Sequence, residues 1–200
     1  CACLVGSEMC IRDSTDPIER LFIQWGFSQV FPAKTMCAHV TTWNKNSSVK
    51  FRTDVAMMCK LGFDIKLADM SKDDETYCRT AVQNYNRLKP VVLEGDMYRL
   101  VSPYGSNHTS TMYVGKDKDK AVVFAFDIHP RYAEKTLPVR LQGLDADKMY
   151  RVKEINLMPG ANSSLSGNGE VFSGEFLMNV GLNLFTTQQL NSRVVEVVAE

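Results

Sequence analysis

The chain is expected to fold as an α/β unit followed by an antiparallel all-β domain, and three features of the sequence predict this. Residues 15–90 alternate helical and strand-like hydrophobic patterns, whereas residues 93–200 are short β-rich runs separated by turn residues. The 200 residues are 44% hydrophobic and 23% charged, which is typical of a globular protein. The sequence contains no stretch of about 18 apolar residues, so no transmembrane helix is predicted.

The first half opens with a helix start signal. Asp16 can cap the helix, Pro17 suits the first helical position, and Glu19 can bond back to the cap. An apolar stripe then recurs at helical spacing, formed by Ile18, Leu21, Phe22 and Trp25. Gly26 is expected to end this helix, because glycine is the commonest residue just past a helix.

Two short strands and a second helix are expected next. Residues 36–40 and Phe63-Asp64-Ile65 form extended apolar segments. Between them, Thr53 is expected to cap a helix that ends at Gly62.

A third helix is expected to begin at the capping box of Ser71 and to stop at Pro90. Strands separated by helices pair in parallel. Two parallel strands cannot bury both of their faces, so this half is predicted to be the end of a larger α/β unit.

The second half is expected to be an antiparallel sandwich or a small barrel, because short β-rich runs recur between turn signals. The runs are residues 97–101, 109–114, 121–126, 139–144, 150–155 and 194–198. Residues 160–169 are rich in glycine, serine and asparagine and are expected to form a flexible loop.

Charge and cysteine content exclude some classes of function. The chain has 23 basic and 23 acidic residues, whereas nucleic-acid and polybasic membrane-surface binding need a basic excess. Residues 4–14 match the translation of a transposase sequencing adapter over eleven consecutive positions, so residues 1–14 are treated as an artefact and left out of the domains. Three cysteines then remain, Cys37, Cys59 and Cys78, and an odd, scattered set predicts buried apolar thiols.

Asp117 and Asp119 are spaced as calcium ligands are, but lysines surround them and no third acid follows, so a solvated hairpin turn is favoured. His39 has no cysteine or histidine partner at metal spacing, and we expect it to be a core or strand-end residue rather than a ligand or base. Cys37 and His39 share a strand face, but no third activating group accompanies them. No metal site is therefore predicted.

The two tryptophans differ in context. Trp25 lies on the apolar helical stripe and is expected in the core. Trp43 follows a strand in a polar segment, which makes it the candidate platform on which a sugar ring would stack.

Several segments, taken in order, resemble family 36 of the glycoside hydrolases, the bacterial-type α-galactosidases. Residues 15–26 resemble the stretch after the sixth strand of the family's barrel, and residues 36–41 resemble the seventh strand. Residues 52–58 and 61–64 resemble the next helix and the eighth strand. Further similar segments, in the family's C-terminal β-domain, are residues 95–100, 143–145, 150–152, 173–178 and 181–182.

The resemblance implies a fold and an activity. Residues 15–92 would be the end of a (β/α)8 TIM barrel, and residues 93–200 an antiparallel β-sandwich domain. The implied reaction is hydrolysis of terminal α-galactosyl residues with retention, by two carboxylates about 5–5.5 Å apart. It implies raffinose- or melibiose-type α-galactosides as partners, no cofactor, no metal, no nucleic acid and no membrane. A homo-oligomer is compatible with it, and a cytoplasmic or periplasmic location stays open.

The catalytic residues are mostly absent from these 200 residues. The family's nucleophile lies in a Lys-Trp-Asp segment, which the sequence does not contain. Asp13 matches the acid/base by position only, and it falls inside the adapter-like segment. The fragment is therefore expected to be inactive. The alternative is a β-domain protein that binds carbohydrate or braces a barrel without catalysis.

Overall fold

A computed structural model of the chain describes residues 16–41 and 46–200. The first part of the described chain is an α/β unit and the second is built on an antiparallel sheet. The elements of the first part are α1 (Pro17–Phe27), β1 (Cys37–Thr41), α2 (Val49–Ala56), β2 (Lys60–Asp64) and α3 (Lys72–Glu94). Those of the second are β3 (Asp96–Val101), β4 (His108–Val114), β5 (Lys120–Asp127), β6 (Met149–Ile155), β7 (Val171–Ser173), α4 (Gly174–Asn179) and β8 (Asn191–Ala199).

The start of α1 is confirmed and its predicted end is wrong. The carboxylate of Asp16 accepts a hydrogen bond from the Ile18 N–H at 2.7 Å, and Pro17 is the first helical residue. The helix continues through Gly26 to Phe27, because the Ser28 N–H bonds to the carbonyl of Gln24 at 2.9 Å. Ser28, rather than Gly26, is the C-cap.

Helix α2 begins earlier than expected. The hydroxyl of Ser48 caps it by accepting from the Phe51 N–H at 3.1 Å, so the prediction that Thr53 is the cap is wrong. Thr53 lies inside the helix and is fully buried. The helix ends at Ala56, and Gly62, its predicted end, is a residue of β2. An earlier start buries the apolar side chains of the first turn, which the capping motif alone does not reveal.

Helix α3 begins at the predicted cap but does not stop at Pro90. The Ser71 hydroxyl accepts from the Asp74 N–H at 3.1 Å, and the helix runs to Glu94. Proline removes the N–H that would bond to the carbonyl four residues earlier, at Asn86. Both positions are exposed, so water can satisfy that carbonyl, and the buried side chains of Val91 and Val92 favour continuing the helix.

The strands form two sheets in the described part of the chain. β1 and β2 pair in parallel, as predicted. The other six form an antiparallel sheet in the order β3-β4-β5-β8-β6-β7. Five of the predicted runs are strands within a few residues of their expected bounds, but residues 139–144 contribute only an isolated bridge between Val139 and Leu182. No helix among the described residues is both long and apolar enough to cross a membrane.

The antiparallel sheet is covered on both faces, and the second layer of the expected sandwich is not a sheet. Alternate residues of β5 point to opposite sides. Phe124 and Phe126 face the α/β unit, whereas Val123 and Ala125 face the other way. That other side is covered by irregular segments and α4, through Val139, Leu141, Leu144, Leu165, Leu177, Leu182 and Leu184.

A buried polar cluster joins the two parts. The carboxylate of Asp54 in α2 is fully buried and accepts hydrogen bonds from Lys50 Nζ at 2.6 Å and Tyr77 Oη at 2.8 Å. It also accepts from Asn156 Nδ2 at 3.0 Å and Ser192 Oγ at 2.7 Å, both in the sheet part. Because an unpaired buried charge is costly, this cluster fixes where α2 lies against β8.

Candidate functional site

The parallel strands β1 and β2 have one buried face and one polar face. Ala38 and Val40 of β1 are buried against the helices. Because side chains alternate along a strand, the intervening residues and their partners on β2 lie on the other face. We call this the open face; its residues are Cys37, His39, Thr41, Lys60, Gly62 and Asp64, of which Thr41 is buried.

The centre of the open face is held by a histidine and a glycine. His39 pairs with Gly62, and a Cβ at Gly62 would lie 2.3 Å from His39 Cδ2. Any other residue at this position would collide with the imidazole, so the glycine allows the ring to lie flat on β2. His39 is a residue of β1, in agreement with the predicted strand position.

Beyond the C-terminal end of β2, a shallow cleft of about 300 Å³ is lined by Ile65, Arg52 and Asp74. The guanidinium of Arg52 lines it and donates to the carbonyl of Thr41. Burial lowers the pKa of Arg52, and the carboxylate of Asp74, also in this cleft, opposes that shift. The cleft therefore combines a partly desolvated cation with acidic groups at the end of the sheet where parallel-strand proteins carry their sites.

The open face alone lacks the groups for a two-carboxylate reaction. Among its six positions Asp64 is the single carboxylate. Retaining glycoside hydrolysis needs a carboxylate nucleophile and a carboxylic acid/base on the two sides of the scissile bond. The remaining groups are suited to holding a polar ligand through hydrogen bonds.

The two candidate site residues taken from the sequence, Asp13 and Trp43, lie outside the described residues. Trp43 belongs to the four-residue segment that follows Thr41 at the end of β1, and Asp13 precedes the cap of α1. The sugar platform and the positional match to an acid/base both stay predictions.

Trp25 is half-buried on α1 and, with Leu21 and Met36, lines a small cavity. It is not one of the buried core side chains of the described residues, so the predicted core position is not confirmed. Asp119 forms an ion pair with Lys148 at 2.7 Å in the turn between β4 and β5, and Asp117 accepts from the Asp119 N–H. This is the solvated hairpin turn that the sequence favoured over a calcium site.

The described cysteines carry free thiols, as the odd count indicated. Cys59 and Cys78 are buried and Cys37 is half-buried. Burial raises the pKa of Cys59 to about 12, so its thiol stays protonated and unreactive at neutral pH.

A second polar cluster, which the sequence analysis missed, lies at the base of a cleft in the antiparallel part. His108 Nδ1 lies 2.8 Å from Asp127 Oδ1, and both side chains are buried. One signal was available: the hairpin pairs Val114 with Ala121, and six residues further out this register sets His108 opposite Asp127. The pairing register was therefore the missing information.

Comparison with protein families gives two adjoining matches. The model described as Melibiase matches residues 7–95, and the model described as the glycosyl hydrolase family 36 C-terminal domain matches residues 108–197. Their order along the chain agrees with the order of the α/β unit and the antiparallel sheet.

Individual relatives agree with the family matches. Alpha-galactosidase 2 of Hypocrea jecorina is 34% identical over 189 residues, which cover 92% of this chain and 24% of that protein. Alpha-galactosidase 1 of Pediococcus pentosaceus is 29% identical over 174 residues, covering 84% of this chain and 22% of its own length. The chain thus spans about a quarter of the length of these relatives.

Solved structures show the same correspondence. The GH36 α-galactosidase AgaB of Geobacillus stearothermophilus superposes with a TM-score of 0.81 at 27% identity, over 94% of this chain and 25% of that one. A variant of AgaA from the same organism, crystallised with raffinose, gives a TM-score of 0.81 at 26% identity with the same coverage.

Proposed function

Because the chain belongs to glycoside hydrolase family 36, whose members are α-galactosidases, we propose that it is a C-terminal fragment of a retaining enzyme that hydrolyses terminal α-linked galactosyl residues. The observation that carries the proposal is the open polar face of the parallel strands. A face with a histidine, a lysine and a carboxylate on it is suited to lining a sugar site rather than to packing in a core.

The α/β unit is proposed to be the end of a (β/α)8 barrel. The order β1-α2-β2-α3 repeats strand and helix twice with parallel pairing, which is the repeat of such a barrel. In this arrangement the open face would line the barrel interior, and Thr41 and Asp64 would lie at its catalytic end. The two domains would be residues 15–92 and 93–200, with the division close to Gly95, the residue at which α3 ends.

Oligosaccharides of the raffinose and melibiose type are the proposed substrates. Relatives of this chain have been crystallised with raffinose and with stachyose, which supports this class. Trp43 is proposed to stack on a sugar ring near the end of β1. Asp13 is retained as a positional match to the acid/base, without a further role assigned to it. A homo-oligomeric whole enzyme is compatible with the proposal.

The 200-residue chain by itself is proposed to be inactive, because it contains no Lys-Trp-Asp segment to supply the nucleophile. A chromogenic α-galactoside incubated with the purified chain should release no product above the uncatalysed rate. Turnover at an enzyme-like rate would contradict both this proposal and the assignment of the nucleophile to another segment.

A chimera tests the function directly. Residues 16–200 would replace the corresponding quarter of the Geobacillus AgaB chain, which this fragment covers at a TM-score of 0.81. We expect the chimera to hydrolyse the chromogenic α-galactoside. The control carries the same exchange with Gly62→Val, which would push His39 off the open face. A folded but inactive chimera without that substitution would refute the proposed function.

A structural contribution of the antiparallel part is favoured by the Asp54 cluster. Asn156 and Ser192 of that part bind a carboxylate buried in the α/β unit. We therefore infer that the antiparallel part stabilises the end of the barrel by packing against it, whether or not this part also binds carbohydrate.

A further inference from the structure

A cleft in the antiparallel part has the features of a binding site, and it is separate from the open face. Its volume is about 850 Å³, within the range of about 300–1,000 Å³ usual for ligand clefts. It lies between the end of β3, the segment around residues 134–142, and Phe185, so that β1 and β2 contribute nothing to its lining.

The base of the cleft is a buried histidine with a fixed orientation. Asp127 accepts hydrogen bonds from the Thr186 N–H at 3.1 Å, the Thr186 hydroxyl at 2.6 Å and Asn191 Nδ2 at 3.1 Å. It also lies 2.8 Å from His108 Nδ1. Since a carboxylate only accepts, this network assigns the hydrogen to Nδ1 of His108. In the neutral ring Nε2 then presents a lone pair.

Nε2 is the nitrogen of His108 that lacks a partner. His108 is 3% exposed, its Nε2 has no hydrogen-bond partner in the described structure, and it lies 3.7 Å from Glu134 Oε2. The Glu134 carboxylate is held in place by the Arg131 N–H at 2.8 Å and by Asn107 Nδ2 at 3.2 Å. A ligand hydroxyl that reaches Nε2 from the cleft would pair it, because leaving a buried polar atom without a partner is costly.

The other residues that line the cleft indicate the class of ligand. Lys135 and Arg140 are exposed on the cleft wall and would repel a cation, whereas Glu134 would repel an anion. The amides of Gln142 and Asn179 offer both donors and acceptors. A neutral ligand with many hydroxyl groups fits this mixture.

Apolar surface in the cleft supports the same class. The ring of Phe185 lies 4.6 Å from the His108 ring, centre to centre, and continues the floor of the cleft. Leu137 and Val180 at its edge are 82% and 50% exposed. Such patches can cover the C–H face of a sugar ring while polar groups bind its hydroxyls.

We propose that this cleft is an auxiliary binding site for a neutral oligosaccharide, whose hydroxyls bond to His108 Nε2 and to the neighbouring Glu134 carboxylate. The choice of an α-galactoside as the test ligand rests on the proposed function. The site itself needs no catalysis, so binding by this chain and hydrolysis by the chimera can fail independently.

The test is a titration of the ¹⁵N-labelled 200-residue chain with raffinose, followed by NMR. We expect saturable shifts of residues around the cleft. Glu134→Gln should weaken raffinose binding by about tenfold, because the carboxylate that accepts from the sugar is lost and the amide can itself bond to His108 Nε2. The same substitution at exposed Glu175, outside the cleft, is the matched control and should leave the affinity unchanged.

Thermal unfolding of the Glu134→Gln chain separates loss of binding from loss of folding, because the new internal hydrogen bond should keep or raise its Tm. The rim variant Arg140→Ala, on an exposed side chain, should weaken raffinose binding with no change in Tm. The proposal is overturned if raffinose produces no saturable shifts, if Glu134→Gln binds it as tightly as the unchanged chain, or if sulfate alone shifts the same resonances.

Discussion

Replacing Asp54 with alanine should separate the α/β unit from the antiparallel sheet. The carboxylate is fully buried and accepts four side-chain hydrogen bonds, one of them from the Lys50 ammonium at 2.6 Å. Removing one partner of a buried ion pair costs about 3–5 kcal/mol. Lys50 keeps the carbonyl of Ser192 at 2.8 Å, and Asn156 keeps a contact with Met57 Sδ at 2.9 Å. We therefore expect Asp54→Ala to lower the free energy of unfolding by an amount at the low end of this range, about 3 kcal/mol.

The measurement is urea unfolding of the 200-residue chain with two probes. Both tryptophans of the sequence, Trp25 and Trp43, lie in the α/β half, so their fluorescence reports that half. Circular dichroism reports mainly the sheet. The two transitions should coincide in the unchanged chain and separate in Asp54→Ala, because the cluster is a buried, charged connection between the halves.

Three further variants test the contribution of the Asp54 carboxylate. Asp54→Asn keeps two of the acceptor bonds and loses the charge, so it should cost about 2 kcal/mol. Lys50→Met added to Asp54→Ala removes the orphaned ammonium and should recover part of the loss. Asp147→Ala, at an exposed turn residue, should change stability by less than about 0.5 kcal/mol. A cost below about 1 kcal/mol for Asp54→Ala, with coincident transitions, would refute the assignment of this cluster as the joint.

Three other predictions follow from single residues. Burial raises the pKa of Cys59 from 9.0 to about 12, so the folded chain holds this proton more tightly than the unfolded chain. The stability that this contributes is complete below pH 9 and is lost as the pH rises toward 12, and urea midpoints across that window should fall less steeply in Cys59→Ala. Gly62→Ala sets a Cβ 2.3 Å from the His39 ring and should lower the free energy of unfolding by about 1–3 kcal/mol. Adding His39→Ala should recover most of this loss, and a double-mutant cycle without coupling would contradict the contact. Gly181 and Gly160 both have positive φ, +87° and +75°, but an added Cβ would meet backbone atoms only at Gly181, the nearest at 2.2 Å. Gly181→Ala should therefore lower the Tm clearly more than Gly160→Ala does. Equal losses of Tm would show that backbone strain alone is responsible.

Local signals in the sequence predicted the elements whose causes are local. Asp16 and Ser71 are caps because their side chains reach N–H groups two and three residues away. The run at β5 is a strand because near-continuous apolar residues fit a sheet that is buried on both faces. Elements whose causes are distant were missed: α3 continues past Pro90 because Val91 and Val92 are buried, which no local rule contains.

The candidate sites also differ in whether nearby or distant residues in the sequence define them. The resemblance carried by short motifs led to the family, and the match of both family models agrees with it. Asp13 and Trp43 lie outside the described residues, so their roles stay predictions. The facing pair of His108 and Glu134 could not be proposed from sequence spacing, because 26 positions separate residues that the sheet and the segment after it bring to 3.7 Å.

By itself, the sequence determined the order of helices and strands in the α/β unit, the parallel and antiparallel character of the two parts, and the balanced charge, because each depends on residue types at short spacing. The tertiary structure alone decided which face of β1 and β2 is open, that irregular segments rather than a second sheet cover the antiparallel sheet, and that Asp54 joins the parts. These features depend on contacts between residues far apart in the chain. Burial then sets the free energy of each charge and hydrogen bond, and no sequence pattern specifies burial before the chain has folded.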